Sequence, residues 1–242
     1  MRERLPELFL GLLSLAVAGV LIAHTVVAAV HDARHTRDTV TVTGSARKPI
    51  SADVVQWNIT VSREATTPAP AARGLRRDLA AVRAFLVGAG IPSAAITPSV
   101  VSTEPIVEML SRKRIRRTYR VSQSLAVQTR KLDVVQAAST HVGDLVARGI
   151  DVSPSSPAWI STELVRAKLE ALAAATADAK QRAEILVKGL GGKLGHMRST
   201  SLGVYQVTPR FSTDVTDYGV NDVSSRDKDV DAVVSATFDV KD

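Results

Sequence analysis

The chain has 242 residues, of which 45% are hydrophobic, and a net charge of +7 that suits anionic lipid, glycan or nucleic acid as partners. It contains no cysteine, which excludes disulfides, thiolate nucleophiles, zinc–thiolate sites and iron–sulfur clusters. Aromatic residues make up only 4% of the chain, so few side chains are available to stack on bases or sugars.

An uncharged apolar run of 23 residues, 8–30, follows a short N-terminal segment, 1–7. As a helix rising about 1.5 Å per residue it is about 34 Å long, enough to cross a hydrocarbon core of about 30 Å. Signal peptides usually have apolar regions of about 7–15 residues, so the run predicts a retained transmembrane anchor. Cleavage after Ala29 is the alternative. The short N-terminal flank favours a cytoplasmic N-terminus and a domain outside the cytoplasm.

The first part of the domain reads as two strands. After a polar juxtamembrane linker at 31–38, alternating residues predict strands at 39–44 and 54–62. Lys48-Pro49 and the segment 51–53 supply turn residues between these strands.

The remaining elements alternate helices with strands, and the helices end at glycines. The last helix is rich in alanine, and Gly191 after it provides a left-handed stop. Its predicted buried face comprises Leu164, Leu169, Leu172, Ala175, Ala179, Ala183 and Leu186. The order ββαββαβαββ predicts an α+β domain over residues 39–242, with a mostly antiparallel sheet and packed helices. Helices are expected at 67–88, 132–147 and 161–190, strands at 96–106, 118–129, 197–207 and 230–240, and an extended segment at 149–159. The apolar stripe predicted for the first helix comprises Leu75, Leu79, Val82, Phe85 and Leu86.

Six positive residues within nine fall between two predicted strands and are expected at a hairpin tip. They could contact a neighbouring subunit, lipid headgroups or anionic glycan. A solvated hairpin without a partner is the alternative. We expect no nucleic acid, because the domain is predicted outside the cytoplasm and only Tyr119 lies nearby for stacking. The six residues are Arg112, Lys113, Arg114, Arg116, Arg117 and Arg120.

A polar stretch of 22 residues, 209–230, precedes the last strand and carries an excess of acidic residues. A loop of this length is usually functional or disordered. We interpret it as an acidic surface that meets the basic hairpin of a neighbouring subunit, where complementary charges set the register of the contact. Its aspartates are Asp214, Asp217, Asp222, Asp227 and Asp229.

No catalytic or cofactor motif is apparent. His31 and His35 have a spacing that suits a metal on a helix, but no further ligand is near, which favours a solvated linker. His141 and His196 are candidate general bases without a recognisable nucleophile. The glycines at 189–192 follow a helix, whereas phosphate loops precede one. We therefore expect no enzymatic activity, no cofactor and no bound metal.

Four stretches of the chain are informative when they are taken in order. They are VTVTGSA (40–46), GIPSAAITPSVVSTEP (90–105), YRVSQSLAV (119–127) and ALAAATADAKQRAEILVKGLGGKLG (171–195). Together they resemble the SIMPL-domain family over residues 39–241. The family usually has Pro-Asp after its first strand, where this chain has Ala52-Asp53.

The resemblance to the SIMPL family implies an α+β domain in the bacterial envelope and a tendency to form homo-oligomers, without an agreed activity or established site residues. Some members are periplasmic immunogenic proteins that assemble into hollow rings, and stress tolerance has been proposed for others.

The anchor predicts a single-pass membrane protein with its domain outside the cytoplasm. The resemblance to the SIMPL family implies that the membrane is the bacterial cytoplasmic (inner) membrane, with the domain on the periplasmic or extracellular side. We expect that domain to self-associate into a homo-oligomeric ring or cage, as a non-enzymatic scaffold of the cell envelope. The alternative is a binding module that recognises anionic lipid or envelope glycan through the basic hairpin at 112–120. Copies of the same chain and the membrane are the expected partners.

Overall fold

The computed structural model describes residues 38–111 and 114–241. The predicted N-terminal segment, the anchor at 8–30 and the linker as far as Arg37 lie outside these residues, and so do His31 and His35. Within the two described ranges, no helix is long and apolar enough to cross a bilayer.

The described residues form an α+β fold in which all strand ladders are antiparallel, as predicted. In chain order the elements are β1 (Thr39–Ser51), β2 (Val54–Ala65), α1 (Pro68–Gly88), β3 (Ile96–Pro98), β4 (Ser102–Ser111), β5 (Arg114–Thr129), α2 (Leu132–Thr140), α3 (Gly143–Ala147), β6 (Asp151–Pro154), β7 (Ala158–Ile160), α4 (Leu164–Gly189), β8 (Lys193–Leu202), β9 (Gln206–Pro209) and β10 (Asp227–Lys241). A single turn of 3-10 helix, Ser93–Ala95, precedes β3.

This order differs from the predicted one because several predicted elements are divided. The strand expected at 96–106 is β3 plus β4, which pair with β5 on either side of an irregularity. Pro98 lies opposite Leu125 and Ser102 lies opposite Ser122, so β3 and β4 carry one residue more than their partner between these pairs. One inserted residue reverses which side chains face the core. The helix expected at 132–147 is likewise α2 plus α3, and the strand expected at 197–207 is β8 plus β9.

The first strand is longer than predicted. β1 continues through Lys48-Pro49 to Ser51, and the turn is confined to Ala52-Asp53. Pro49 lies opposite Asp229 of β10, and β10 is the strand that pairs with β1. An edge strand tolerates proline where its nitrogen is not needed for a ladder hydrogen bond. The turn prediction at Lys48-Pro49 was therefore wrong.

The strands form two sheets within the described ranges. Sheet A has the order β1-β10-β8, and β9 also pairs with β10. Sheet B has the order β3-β5-β2-β6, with β4 added along β5 and β7 along β2. Sheet A therefore joins the beginning and the end of the domain, and sheet B is built from the segment between them.

Sheet B packs against α1, α2 and α3 around a core of large aliphatic side chains. Val55, Ile59 and Val61 of β2 are fully buried. Leu75 and Leu86 of α1 lie in the same core, on the stripe that the helical period predicted. Burial of each such side chain contributes about 1.5–3 kcal/mol to folding.

Sheet A packs against α4 through small side chains instead. Gly44 of β1 lies so close to α4 that an added Cβ atom would come within 2.3 Å of both the Ala175 oxygen and the Ala179 nitrogen. Leu169 and Leu186, which the sequence placed on the buried face, are 62% and 50% exposed. That prediction was wrong because this close approach admits only a row of small residues. The buried row is Ala167, Ala171, Ala175, Ala179, Ala183 and Val187.

Candidate functional site

The β4–β5 hairpin extends beyond the rest of sheet B. β2 pairs with β5 only as far as Ala65, opposite Tyr119, whereas β4 continues along β5 as far as Ser111, opposite Arg114. At about 3.4 Å per residue, the five residues of β5 before Tyr119 project about 17 Å past the end of β2. The predicted hairpin is therefore a two-stranded arm.

One face of this arm is apolar. Strand alternation places Val107, Met109 and Ile115 on the side of β5 that carries the buried Val121. The three side chains nevertheless lie beyond the core, and they are 55%, 78% and 66% exposed. We call Val107, Met109 and Ile115 the hairpin patch.

The opposite face of the arm carries paired charges. The Arg116 guanidinium lies 3.8 Å from the Glu108 carboxylate across the strand pair. Arg120 donates to Glu64 of β2, with 2.9 Å from Nε and 2.5 Å from Nη2 to the same oxygen. Exposed pairs of this kind stabilise a fold by about 0–1 kcal/mol. Their main consequence is that two of the six predicted basic residues already have a carboxylate partner within the chain.

The other basic residues of the predicted cluster differ in position. Arg117 is exposed and lies opposite Val107, on the apolar face of the arm. Within the described ranges it forms no ion pair. Arg114 is the first residue of β5, whereas Arg112 and Lys113 lie outside the described residues.

The predicted acidic loop is a folded segment held by hydrogen bonds to the Gln206 side chain, which we call the Gln206 clamp. Gln206 of β9 is 5% exposed, and its side-chain amide donates to the Thr216 carbonyl at 2.8 Å. Its amide oxygen accepts from the Val220 backbone nitrogen, also at 2.8 Å. Buried hydrogen bonds of this kind hold a loop in one conformation. The loop between β9 and β10 therefore presents its tip as a defined surface.

Three large apolar side chains of this loop are exposed to solvent. Phe211, Val215 and Tyr218 are 84%, 77% and 98% exposed. Asp214 and Asp217 stand between them in the sequence and are also exposed. We call Phe211, Val215 and Tyr218 the loop patch. The two aspartates were predicted from the sequence as contact residues, whereas the apolar residues that alternate with them were not.

Asp222, Asp227 and Asp229, also named from the sequence, make internal contacts. Asp227 accepts from the Ser51 hydroxyl at 2.6 Å. Asp229 is 4% exposed and accepts from the backbone nitrogen of Phe211 at 3.2 Å. Asp222 accepts from the backbone and hydroxyl of Ser224 at 2.8 and 2.6 Å. These three carboxylates hold the base of the loop, and the exposed charge at its tip comes from Asp214 and Asp217.

A second basic surface, on α1, was not predicted from the sequence. Arg73, Arg76 and Arg77 of α1 are exposed around a shallow depression that also includes Ala80. Residues three and four apart share one face of a helix, so the spacing in the sequence was sufficient to find them. They lie on the helix that covers the core side of sheet B.

His141 is the candidate base that lies in a groove. The groove separates the end of α1 from α2 and α3, and Asp144 and Arg148 stand beside the histidine. The Nδ1–H of His141 donates to the Ala137 carbonyl at 2.8 Å. His196 is exposed on β8. Among the described residues, no three His, Asp or Glu side chains gather closely enough to hold a metal ion.

A family model named SIMPL, described as a protein of unknown function (DUF541), matches residues 40–238. The chain belongs to the SIMPL family. The matched residues include strands of both sheets and the helices α1 to α4, which agrees with the resemblance seen in the sequence. The SIMPL description assigns no reaction, ligand or partner to the domain.

Comparison with solved structures adds little to the SIMPL assignment. A Burkholderia multivorans amidase of the hydantoinase/carbamoylase family is 19% identical, with a TM-score of 0.24, over 52% of this chain and 32% of its own. A Burkholderia cenocepacia protein described as an amidohydrolase/peptidase is 14% identical, with a TM-score of 0.20, over 60% of this chain and 37% of its own. The chain thus spans about a third of each of these proteins. No curated protein matches the chain.

Proposed function

We propose that this chain is a non-enzymatic scaffold of the bacterial envelope, tethered by residues 8–30 and self-associating through its domain into a ring or cage. The observation that carries this proposal is the presence of two unlike apolar surfaces on one chain. They are the hairpin patch on the arm and the loop patch between β9 and β10.

The hairpin patch has the character of a surface that a partner covers. Exposed aliphatic side chains on a projecting strand pair favour association, because the edge strand has unpaired backbone groups and the apolar face is in contact with water. Full burial of a side chain the size of methionine or isoleucine contributes about 1.5–3 kcal/mol. Met109 and Ile115 stand directly opposite each other and would enter an interface together.

The loop patch supplies an anchor of a different kind. Tyrosine is enriched among residues that dominate interface energies, and Tyr218 is 98% exposed in the absence of a partner. Because the Gln206 clamp already orders the loop, binding would cost less conformational entropy than it would for a mobile segment.

Two unlike patches favour head-to-tail contacts, in which the hairpin patch of one copy meets the loop patch of the next. Contacts of this type generate closed rings when the rotation between copies closes. The neighbouring charges are complementary, since Arg117 accompanies the hairpin patch and Asp214 and Asp217 accompany the loop patch. Such charges set the register and orientation of a contact more than its affinity. An anchor would confine the copies to one plane and raise their effective concentration.

Complementation between variants tests this arrangement. A hairpin variant, Met109→Lys with Ile115→Lys, and a loop variant, Val215→Lys with Tyr218→Lys, each keep one patch intact. In the detergent-extracted full-length protein, we expect each variant alone to be monomeric by mass photometry. An equimolar mixture should form dimers and nothing larger, because each variant supplies the patch that the other has lost.

Val100→Lys is the matched control, because Val100 is an 88% exposed valine in the connection before β4, away from both patches. This variant should keep the wild-type mass. A monomeric wild-type protein would overturn the scaffold proposal. Variants that retain the wild-type mass, or that stay monomeric when mixed, would show that the hairpin and loop patches do not form the contact.

A second candidate function is recognition of anionic lipid or envelope glycan through the basic hairpin at 112–120. Arg117 and the arginines of α1 favour it, because they are exposed and lie on the same side of sheet B. Arg116 and Arg120 contribute less, since each has a carboxylate partner. Salt-sensitive sedimentation of the domain without the anchor, residues 38–242, with phosphatidylglycerol vesicles, lost on Arg117→Gln, would support this function, whereas salt-independent sedimentation would contradict it.

A further inference from the structure

One end of the layer formed by sheet A and α4 lies where the chain continues toward residues 1–37. Thr39, the first residue of β1, pairs with Asp239 near the end of β10, and Lys193 at the start of β8 pairs with Lys241. The Val240 backbone nitrogen donates to the Asp38 carbonyl at 2.7 Å. This hydrogen bond fixes the point at which the preceding segment leaves the domain, beside the C-terminus of α4.

Exposed aliphatic side chains gather at this end. Leu190, immediately after α4, is 90% exposed, and Leu186 in the last turn is 50% exposed. Both border a groove that also includes Val40 and Val240. At this degree of exposure Leu190 contributes little to the core of the domain.

Three lysines lie at the same end of the domain. Lys188 lies in the last turn of α4, and Lys193 and Lys241 face each other across β8 and β10. None of the three lysines forms an ion pair with any residue that the structure describes. Asp239 at the same end is bound to Arg198 at 2.5 Å. Asp38 adds one negative charge, and Asp242, which follows Lys241 in the sequence, adds another, so the three lysines leave this end with a small net positive charge.

We propose that this end of the domain docks on an anionic bilayer surface. Leu186 and Leu190 would enter the boundary between headgroups and acyl chains, and Lys188, Lys193 and Lys241 would lie among the phosphates. The inference rests on the proposed anchor. Residues 31–37 are seven residues long and span at most about 25 Å, so a tethered domain would stay close to the membrane.

The combination of leucines and lysines favours lipid over other occupants. This surface, with two leucines at one helix end, is too small to cover the apolar segment 8–30, which is about 34 Å long as a helix. A second copy docked end to end would place lysine against lysine, and like charges in contact destabilise an interface. An anionic bilayer satisfies both the apolar side chains and the cations.

A single introduced cysteine tests the docking, because the chain has no cysteine of its own. Full-length Leu190→Cys, labelled with an environment-sensitive fluorophore, is reconstituted into phosphatidylcholine vesicles with and without phosphatidylglycerol. Some of the lipids carry brominated acyl chains that quench the fluorophore. The matched control is Val165→Cys at the other end of α4, which is 73% exposed. The two positions are 25 residues apart along the helix, or about 38 Å.

We expect blue-shifted, bromine-quenched emission at position 190 in the anionic vesicles and water-like emission at position 165. Lys188→Gln and Lys193→Gln should each lower the ratio of docked to undocked protein about fivefold, corresponding to about 1 kcal/mol per lysine. Shielding at position 190 without bromine quenching would mean that residues 1–37 or a second copy cover Leu190, and would overturn the docking.

Failure of the docking and failure of the proposed function give different results. Water-like emission at position 190, in a chain that floats with the vesicles and keeps its oligomeric mass, would overturn the docking alone. A chain that fails to float with the vesicles would overturn the anchor, and the docking with it.

Discussion

At the scale of single residues, Asp53 links the corner between the two sheets to the start of α4. Its carboxylate accepts from the Thr162 hydroxyl at 2.6 Å and from the Thr162 backbone nitrogen at 2.7 Å. The hydrogen bond from the Thr162 hydroxyl is the main reason that the pKa of Asp53 lies below its usual range, and the bond from the backbone nitrogen adds to the effect. Burial acts in the opposite direction and raises the pKa in part. A carboxylate with a depressed folded-state pKa stabilises the fold above its unfolded pKa of about 4. That stability is lost as the pH falls through the folded value.

We expect Asp53→Asn to lower the free energy of unfolding by about 1 kcal/mol at neutral pH. This is below the usual range for hydrogen bonds to a charged group, because 35% of the side chain is exposed. The difference from wild type should shrink as the pH falls below about 4. Guanidinium denaturation of the detergent-extracted full-length protein at several pH values measures it.

Glu184→Gln is the control for Asp53→Asn. Glu184 makes an exposed pair with Lys180 at 3.7 Å, and its change should be within about 0.5 kcal/mol at all pH values. A loss for Asp53→Asn that persists unchanged in acid would contradict the role given to the Asp53 charge.

At the scale of elements, the contrast between α1 and α4 shows how a helix face is chosen. α1 covers sheet B with large side chains such as Leu75 and Leu86, as its hydrophobic period indicates. α4 instead turns alanines toward β1 and leaves Leu169 exposed, because Gly44 allows the two backbones to approach closely. In α4 the volume available at the sheet, rather than hydrophobicity, decides which residues are buried.

We therefore expect Ala179→Leu to destabilise the domain by about 3 kcal/mol, because the larger side chain would push α4 away from β1. Leu169→Ala on the same helix shortens a side chain that is 62% exposed, and it should change stability by no more than about 0.5 kcal/mol. Denaturation midpoints followed by circular dichroism distinguish the two variants. Equal losses from both would contradict the packing described for α4.

At the scale of the whole molecule, a buried lysine joins the two sheets. Lys228 of β10 is 3% exposed, and its ammonium group donates to the Trp159 carbonyl of β7 at 2.7 Å and to the Asp222 carbonyl. Burial lowers the pKa of Lys228, although the nearby Asp222 raises it in part. The same joint contains a hydrogen bond of 2.7 Å from the Ala52 nitrogen to the Arg226 carbonyl. Sheet A, sheet B and the loop between β9 and β10 therefore meet around one side chain.

We expect Lys228→Ala to lower the free energy of unfolding by about 3 kcal/mol, because it leaves two carbonyls without their donor and opens a void. Hydrogen exchange should increase most in β7 and in residues 220–226. Lys180→Ala serves as the control, since Lys180 is 66% exposed and makes a single surface pair. A uniform increase in exchange over both sheets would mean that Lys228 does not act at the joint in particular.

The sequence by itself determined the features that a few neighbouring residues control. The helical stripe of α1, the left-handed stop at Gly191 and the α+β class follow from local periodicity and backbone preference, and each is present in the structure. The family resemblance also needed only short stretches in order.

The tertiary structure alone decided which charges and apolar residues remain available. Arg120 is paired with Glu64, which is 56 residues away, and no local pattern records that contact. Asp229 is buried whereas Asp214 is exposed, although both belong to the same acidic stretch. The extra residue between β3 and β4 and the exposure of Leu169 depend likewise on strands distant in sequence. Register, partner and available volume are properties of the assembled sheets, so the composition of each segment could not specify them.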